Sequence, residues 1–212
     1  MFDFDLNIVI SIIGAVITGA LGPILVVKYK QNVYRNKNNL QKQEEFNIAV
    51  RNQNAINSSL NTLQEQHNLD RIMIMQFHNG GNFWPGNQSM KKMSAQYEST
   101  APGVSSHILA LQNTPVSFFS GVLQGMIENN KYVHLEVDKL KDNALKSFWE
   151  CRGVSIVYLF PILGLDNLLL GLLISEQTSS EHTLTSSDIK ALEDESKRLS
   201  GYIQYNNVQN LG

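Results

Sequence analysis

Cysteine is nearly absent from this chain of 212 residues. Its single representative, Cys151, can form no internal disulfide and can build no cysteine-based metal cluster by itself. A reducing compartment fits that usage best. A charge excess is lacking too: 17 Lys and Arg stand against 19 Asp and Glu, a formal net charge of −2. That balance gives no electrostatic reason to expect a nucleic acid partner. Catalytic signatures are also missing. No G-x-S-x-G, H-E-x-x-H or C-x-x-C occurs. Gly81 and Gly86 open like a phosphate-binding loop, but Asn87 and Gln88 stand where Lys and Ser or Thr are needed, which excludes nucleotide hydrolysis on that pattern. His67, His78, His107, His134 and His182 are scattered, without the close spacing of a helix-borne metal pair. These absences leave no catalytic residue, no metal site and no cofactor to expect, and the chain reads as non-enzymatic.

What the chain has is an uneven distribution of apolar residues. From Leu6 to Val27 no charge occurs over 22 residues. At about 1.5 Å per residue a helix of that length can cross a hydrocarbon core of roughly 30 Å. The run shows no polar stripe, which sets it apart from a core helix. Its acidic leader, residues 1–5, differs from the basic start of a signal peptide. Asp3 and Asp5 precede the run, whereas Lys28, Lys30, Arg35, Lys37 and Lys42 follow it before the first acidic residue, Glu44. The positive flank places the N-terminus outside and the rest inside the cytoplasmic (inner) membrane. Gly14, Ala15, Thr18, Gly19 and Gly22 supply small-xxx-small spacings that permit two such helices to associate.

A stalk is expected over 28–66, a stretch with neither Pro nor Gly. Phe46, Ala49, Gln53, Ile56, Leu60, Leu63 and His67 recur at alternating spacings of three and four, the a/d pattern of a coiled coil. Either a parallel homodimer or a helix docked on the following domain satisfies this pattern, and both can hold along its length.

Residues 67–206 alternate strand and helix signals, followed by a tail at 207–212. Strands are expected at 71–77, 92–100, 132–137, 154–163 and 168–176, the last two joined as a hairpin through Gly164 to Asn167. Val116, Phe119, Leu123 and Met126 share one helical face after Pro115. Leu140, Ala144, Phe148 and Cys151 form another stripe, stopped by Gly153, with Cys151 in the core. A closing helix from about Ser187 to Tyr205, capped by Thr185 or Ser186, buries Ile189, Leu192, Leu199 and Ile203. The fold class is therefore α+β, an antiparallel sheet flanked by helices.

Residues 151–176 and the helix that closes the chain resemble the second half of a GAF domain. An apolar strand reaches Pro161, a turn follows, Gly171 stands near the start of the next strand, and Asp188 lies in the helix cap. The opening at 50–77 also suits GAF and PAS-like sensor folds. This resemblance implies a ligand- or partner-binding sensory or regulatory domain. No kinase, cyclase or DNA-binding output is expected after the closing helix. Tyr158, Pro161, Leu165, Asp166, Asn167 and Gly171 also resemble the last strands of phage holins of the T family, which implies the alternative of membrane permeabilisation. The flank charges here are the reverse of those holins'.

Candidate ligand contacts gather after the first strand. His78 and Asn79 open a Gly-rich, aromatic loop containing Trp84, and Ser94, Tyr97 and Glu98 lie on the next strand. Simple alternation places Ser94, Gln96 and Glu98 on one face of that strand and Met93, Ala95 and Tyr97 on the other. His78, Trp84, Tyr97 and Glu98 are expected to converge on one cavity. The bland alternative is turn chemistry, with His78 and Glu98 bonding backbone groups. Expected partners are the membrane, further copies of the chain in a homodimer or higher homo-oligomer, and an unidentified small ligand or protein.

Overall fold

The computed structural model describes residues 22–79, 90–129 and 131–209. Two compact units result, Met1–Ala49 and Val50–Gly212. The described part of the first is helical, the start of α1 (Gly22–Gln66), and it exposes Val26, Tyr29, Val33, Leu40 and Phe46. The expected membrane span, 6–27, lies outside the described residues except for its last six. Among the described residues no helix is long and apolar enough to cross a membrane.

The second unit is built on six antiparallel strands: β1 (Arg71–His78), β2 (Lys92–Thr100), β3 (Thr114–Pro115), β4 (Val133–Glu136), β5 (Ile156–Leu163) and β6 (Leu169–Gln177). Their order across the sheet is β3-β2-β1-β6-β5-β4. Helices α2 (Ser120–Asn129), α3 (Asn143–Glu150) and α4 (Ser186–Gln209) complete the unit. Strand pleating divides the apolar residues between two faces. Ile72, Ile74, Tyr158, Phe160 and Leu173 pack with Ile56, Leu60 and Leu63 of α1 and with Leu192, Leu199 and Ile203 of α4. Met73, Met75, Phe77, Leu159, Leu172 and Ile174 pack with Phe119, Leu123 and Met126 near α2 and with Leu145 and Trp149 of α3. The sheet is thus apolar on both sides, which explains why β1 and β6 read as continuous hydrophobic runs.

The burial of α1 decides between the two readings of its C-terminal part in favour of the docked helix. Ile56 and Leu60 are fully buried and Leu63 nearly so, all against their own sheet and α4. Residues 56–63 therefore form no seam for a second chain. Ser59 Oγ donates to Glu195 Oε1 of α4, and His67 Nδ1 meets Asp188 Oδ1 at 2.7 Å. Asp188 has a second role: its Oδ2 accepts from Thr185 N at 2.8 Å, while Thr185 Oγ1 accepts from Asp188 N at 3.3 Å. That reciprocal pair is a capping box, and it fixes Thr185 as the cap of α4.

The stripe read at 140–151 is displaced. A 3-10 turn at Val137–Lys139 takes Leu140 out of the helix, and Asp142 caps α3 by accepting from the amides of Ala144 and Leu145. The buried face becomes Leu145 and Trp149, and Cys151 is exposed. Gly153, at φ 67°, ends the helix: its amide reaches Glu150 O and that of Val154 reaches Trp149 O, a Schellman turn.

Gly171 marks the tightest approach in the sheet. A Cβ there would stand 2.4 Å from Met75 O, a backbone atom of the neighbouring strand. Gly171→Ala is expected to destabilise the domain by about 2–3 kcal/mol or more, through strand separation. Gly125→Ala in α2, where nothing lies within 4 Å of the new methyl, should be neutral or stabilising by up to about 1 kcal/mol. Denaturant unfolding of the two variants measures the contrast.

Candidate functional site

Local register decides where the candidate residues go. β2 pairs with β1 so that Ile74 faces Tyr97 and Met75 faces Ala95, leaving Gln96 as an extra residue in a β-bulge. Simple alternation fails at that point. Met93, Ala95 and Glu98 lie on the α2/α3 face, and Ser94 and Tyr97 on the α1/α4 face. On β1, His78 shares the α1/α4 side with Ile72 and Ile74, whereas Glu98 is opposite Met73 on the other side. Five residues of strand, roughly 16 Å, also separate their positions along β1. His78 and Glu98 therefore do not share a cavity.

His78 is buried, and its Nε2 lies 2.8 Å from Ser94 Oγ, which also accepts from Asn113 N at 2.8 Å. Burial, then the nearby Lys92 charge, pushes the His78 pKa down, which favours a neutral ring. Asn79 Oδ1 accepts from Lys91 N at 2.9 Å, closing the strand ends around the intervening loop. Tyr97 packs with the α1/α4 cluster. Trp84 lies outside the described residues. His78 and Ser94 form one hydrogen-bonded strand-end pair, Asn79 bonds to Lys91 at the same strand ends, and Glu98 belongs to another group.

Of that second group, Glu98 alone is among the candidates read from the sequence. Arg71, the first residue of β1, stands directly opposite Glu176 near the end of β6, and Glu98 of β2 lies two residues further along, opposite Met73 on the same face. Arg71 Nη1 donates to Glu176 Oε2, and Arg71 Nε is 3.4 Å from Glu98 Oε1. The three side chains are at most 4 % exposed. Segment 101–113 covers them. Arg71 Nη2 donates to Ser105 O at 2.6 Å, and Glu98 accepts from Ser106 Oγ, from His107 N at 2.8 Å and from Ile108 N at 3.3 Å. His107 brings Nδ1 to 3.8 Å from Glu176 Oε2, and Arg152, in the turn after α3, contributes a second guanidinium.

Burial dominates the electrostatics. It pushes Glu176 up to about 7 against the attraction of Arg71 and Arg152. Burial, then Arg71 and Arg152, pushes His107 down. Glu176 Oε1, His107 Nδ1 and Arg152 Nε are buried without a hydrogen-bond partner, as is Trp149 Nε1 of α3. Unpaired buried polar atoms cost free energy. Among the described residues no group of three or more His, Cys, Asp or Glu could hold a metal ion. A signal for Arg71 and Glu176 existed in the sequence: each is a charge at the tip of an otherwise apolar strand. His107 and Arg152 come from turns and left none.

No family model matches the chain, and no curated protein matches it. Solved structures do. The phycocyanobilin-bound GAF domain of a cyanobacterial phytochrome superposes with TM-score 0.57 at 15% identity, covering 79% of this chain and 98% of that one. The blue-light-absorbing form of the PixJ GAF domain from Thermosynechococcus elongatus gives TM-score 0.57 at 16% identity, over 77% and 90%. The GAF domain region of a protein described as a membrane protein, from Geobacter sulfurreducens PCA, gives 0.57 at 12%, over 76% and 98%. The chain has a GAF fold. The comparisons lend no support to the holin alternative. Within this GAF fold Pro161 and Gly171 stand on the paired strands β5 and β6, and Asp188 in the cap of α4.

A raised carboxyl pKa fixes the sign of a pH effect. The folded chain holds the Glu176 proton more tightly than the unfolded chain, so this stability is fully present below about pH 4.5. It is lost as pH rises through about 7. A shift of that size corresponds to on the order of 3 kcal/mol. Glu176→Gln should therefore gain stability relative to the parent between about pH 5 and pH 8, read from denaturant midpoints. His78 and His107, both lowered, add the opposite slope below about pH 6.5 in both proteins.

Proposed function

We propose that the chain is a non-enzymatic, membrane-anchored sensory or regulatory protein, whose GAF-fold domain binds a small polar ligand or a protein partner. The observation that carries this reading is the buried cluster of Arg71, Glu98, Glu176, His107 and Arg152, with donors and an acceptor left unpaired. A molecule offering one donor and one acceptor satisfies such groups. The GAF fold supports the reading, since a phytochrome GAF domain of this fold is bound to phycocyanobilin. Native mass spectrometry of the full chain from its source tests it. A bound mass is expected that Glu98→Gln and Arg152→Ala lose together. A mass retained by both variants places the ligand elsewhere, and the absence of any mass favours a protein partner.

Anchoring rests on the uncharged run Leu6–Val27 and the basic flank that follows it, which put the domain on the cytoplasmic side. Alkaline phosphatase fused after Gly212 should be inactive, and a fluorescent protein there should be bright. The reverse result would invert the topology.

Dimerisation through the stalk completes the proposal. Val26, Tyr29, Val33 and Leu40 are exposed at spacings of three, four and seven, an a/d stripe. Val33→Asn with Leu40→Asn should weaken self-association by roughly tenfold or more in sedimentation, leaving the fold of 50–209 unchanged. An unaltered sedimentation profile would remove the stalk dimer.

A further inference from the structure

Glu176 occupies a position that only one of its two oxygens is equipped for. Oε2 accepts from Arg71, whereas Oε1 is buried with no partner. Charged and titratable groups meet it from every side. Arg71 comes from β1, Glu98 from β2, His107 from segment 101–113 and Arg152 from the turn after α3; Val157, directly opposite on β5, is apolar. Two guanidiniums thus face two carboxylates, and a single proton changes the cluster from balanced to net positive.

Glu98 is the anionic link between this cluster and the covering segment, beside the bond of Arg71 to Ser105 O. It holds the segment through Ser106 Oγ and the amides of His107 and Ile108, and it shares Arg71 with Glu176. We propose that Glu176 is a proton-operated latch on segment 101–113. When Glu176 is ionised, Arg71 is divided between two carboxylates, and Glu98 is left to hold the segment. When Glu176 takes a proton from a hydronium ion of the solvent, one O–H bond forms on the carboxyl as one breaks in the hydronium, and Arg71 is left with Glu98 as its one carboxylate partner. Glu98 is drawn to Arg71, and its bonds to His107 and Ile108 weaken. Burial pushes Glu176 up to about 7 and His107 down, so the carboxyl protonates before the imidazole as pH falls. This goes beyond ligand binding, because the input is the proton itself and no bound molecule is required.

Two measurements on the full chain test the latch. Carboxyl carbon NMR of Glu176 needs no substitution and should show a midpoint near pH 7; a midpoint near that of an ordinary glutamate overturns the proposal. Hydrogen exchange of the His107 and Ile108 amides, corrected for its intrinsic pH dependence, should show roughly tenfold lower protection at about pH 6 than at about pH 8. Glu176→Gln, neutral at every pH, should show the low value at both. His107→Gln should keep the step, since the proton resides on the carboxyl. Equal protection at the two pH values, or loss of the step in His107→Gln, overturns the latch.

Discussion

Strands β1 and β6 lie side by side at the centre of the sheet, with every residue of β1 and all but the first of β6 buried. Their antiparallel register, Arg71 on Glu176 through Gln76 on Gly171, sets every other relation in the domain. It aligns two sets of side chains, one for α1 and α4 and one for α2 and α3. Because the side-chain period is two, a slip of one residue would exchange the sets and bury the wrong groups under each pair of helices. Two positions guard the register. Gly171 admits Met75 O at a distance no side chain tolerates, and Arg71 meets the Glu176 carboxylate as its direct cross-strand partner in this register.

The ion pair is more than a register mark. Removing two charges from water costs several kcal/mol per ion unless their remaining donors and acceptors are satisfied. Here Arg71 meets both Glu98 and Glu176 and also the carbonyl of Ser105, so the guanidinium is well served. Glu176 is not, and its free oxygen lies among donors that are also unpaired. A structure selected for stability alone would replace such a group with an apolar one. Its presence under a covering segment is what the proposed role of this end of the sheet rests on.

Much of the architecture was legible in the sequence, because its cues are local. The apolar runs of β1, β5 and β6, the turn at 164–167 and the capping residues of α4 identify themselves by composition and spacing. The pairing of Arg71 with Glu176 was accessible once both strands were placed. The bulge at Gln96 was not, since an extra residue in one strand is defined only against its partner, and it moved Glu98 to the face opposite His78. The same holds for Leu60 and Leu63: heptad spacing describes an apolar stripe equally well whether another chain or the molecule's own sheet covers it. His107 and Arg152 are brought in by turns, and the positive φ of Gly153 that directs the latter has no periodic signature.

The turn that delivers Arg152 also leaves Cys151 at the surface, next to it in the chain and 3.7 Å from its Nη1. No other thiol exists in the sequence. The molecule therefore carries a unique attachment point for a spin label or fluorophore, one residue from the buried charges, with no engineered cysteine and no native one to remove. A label there would sense the environment of the Arg152 turn from outside, so changes in the interior could be followed in the unaltered sequence.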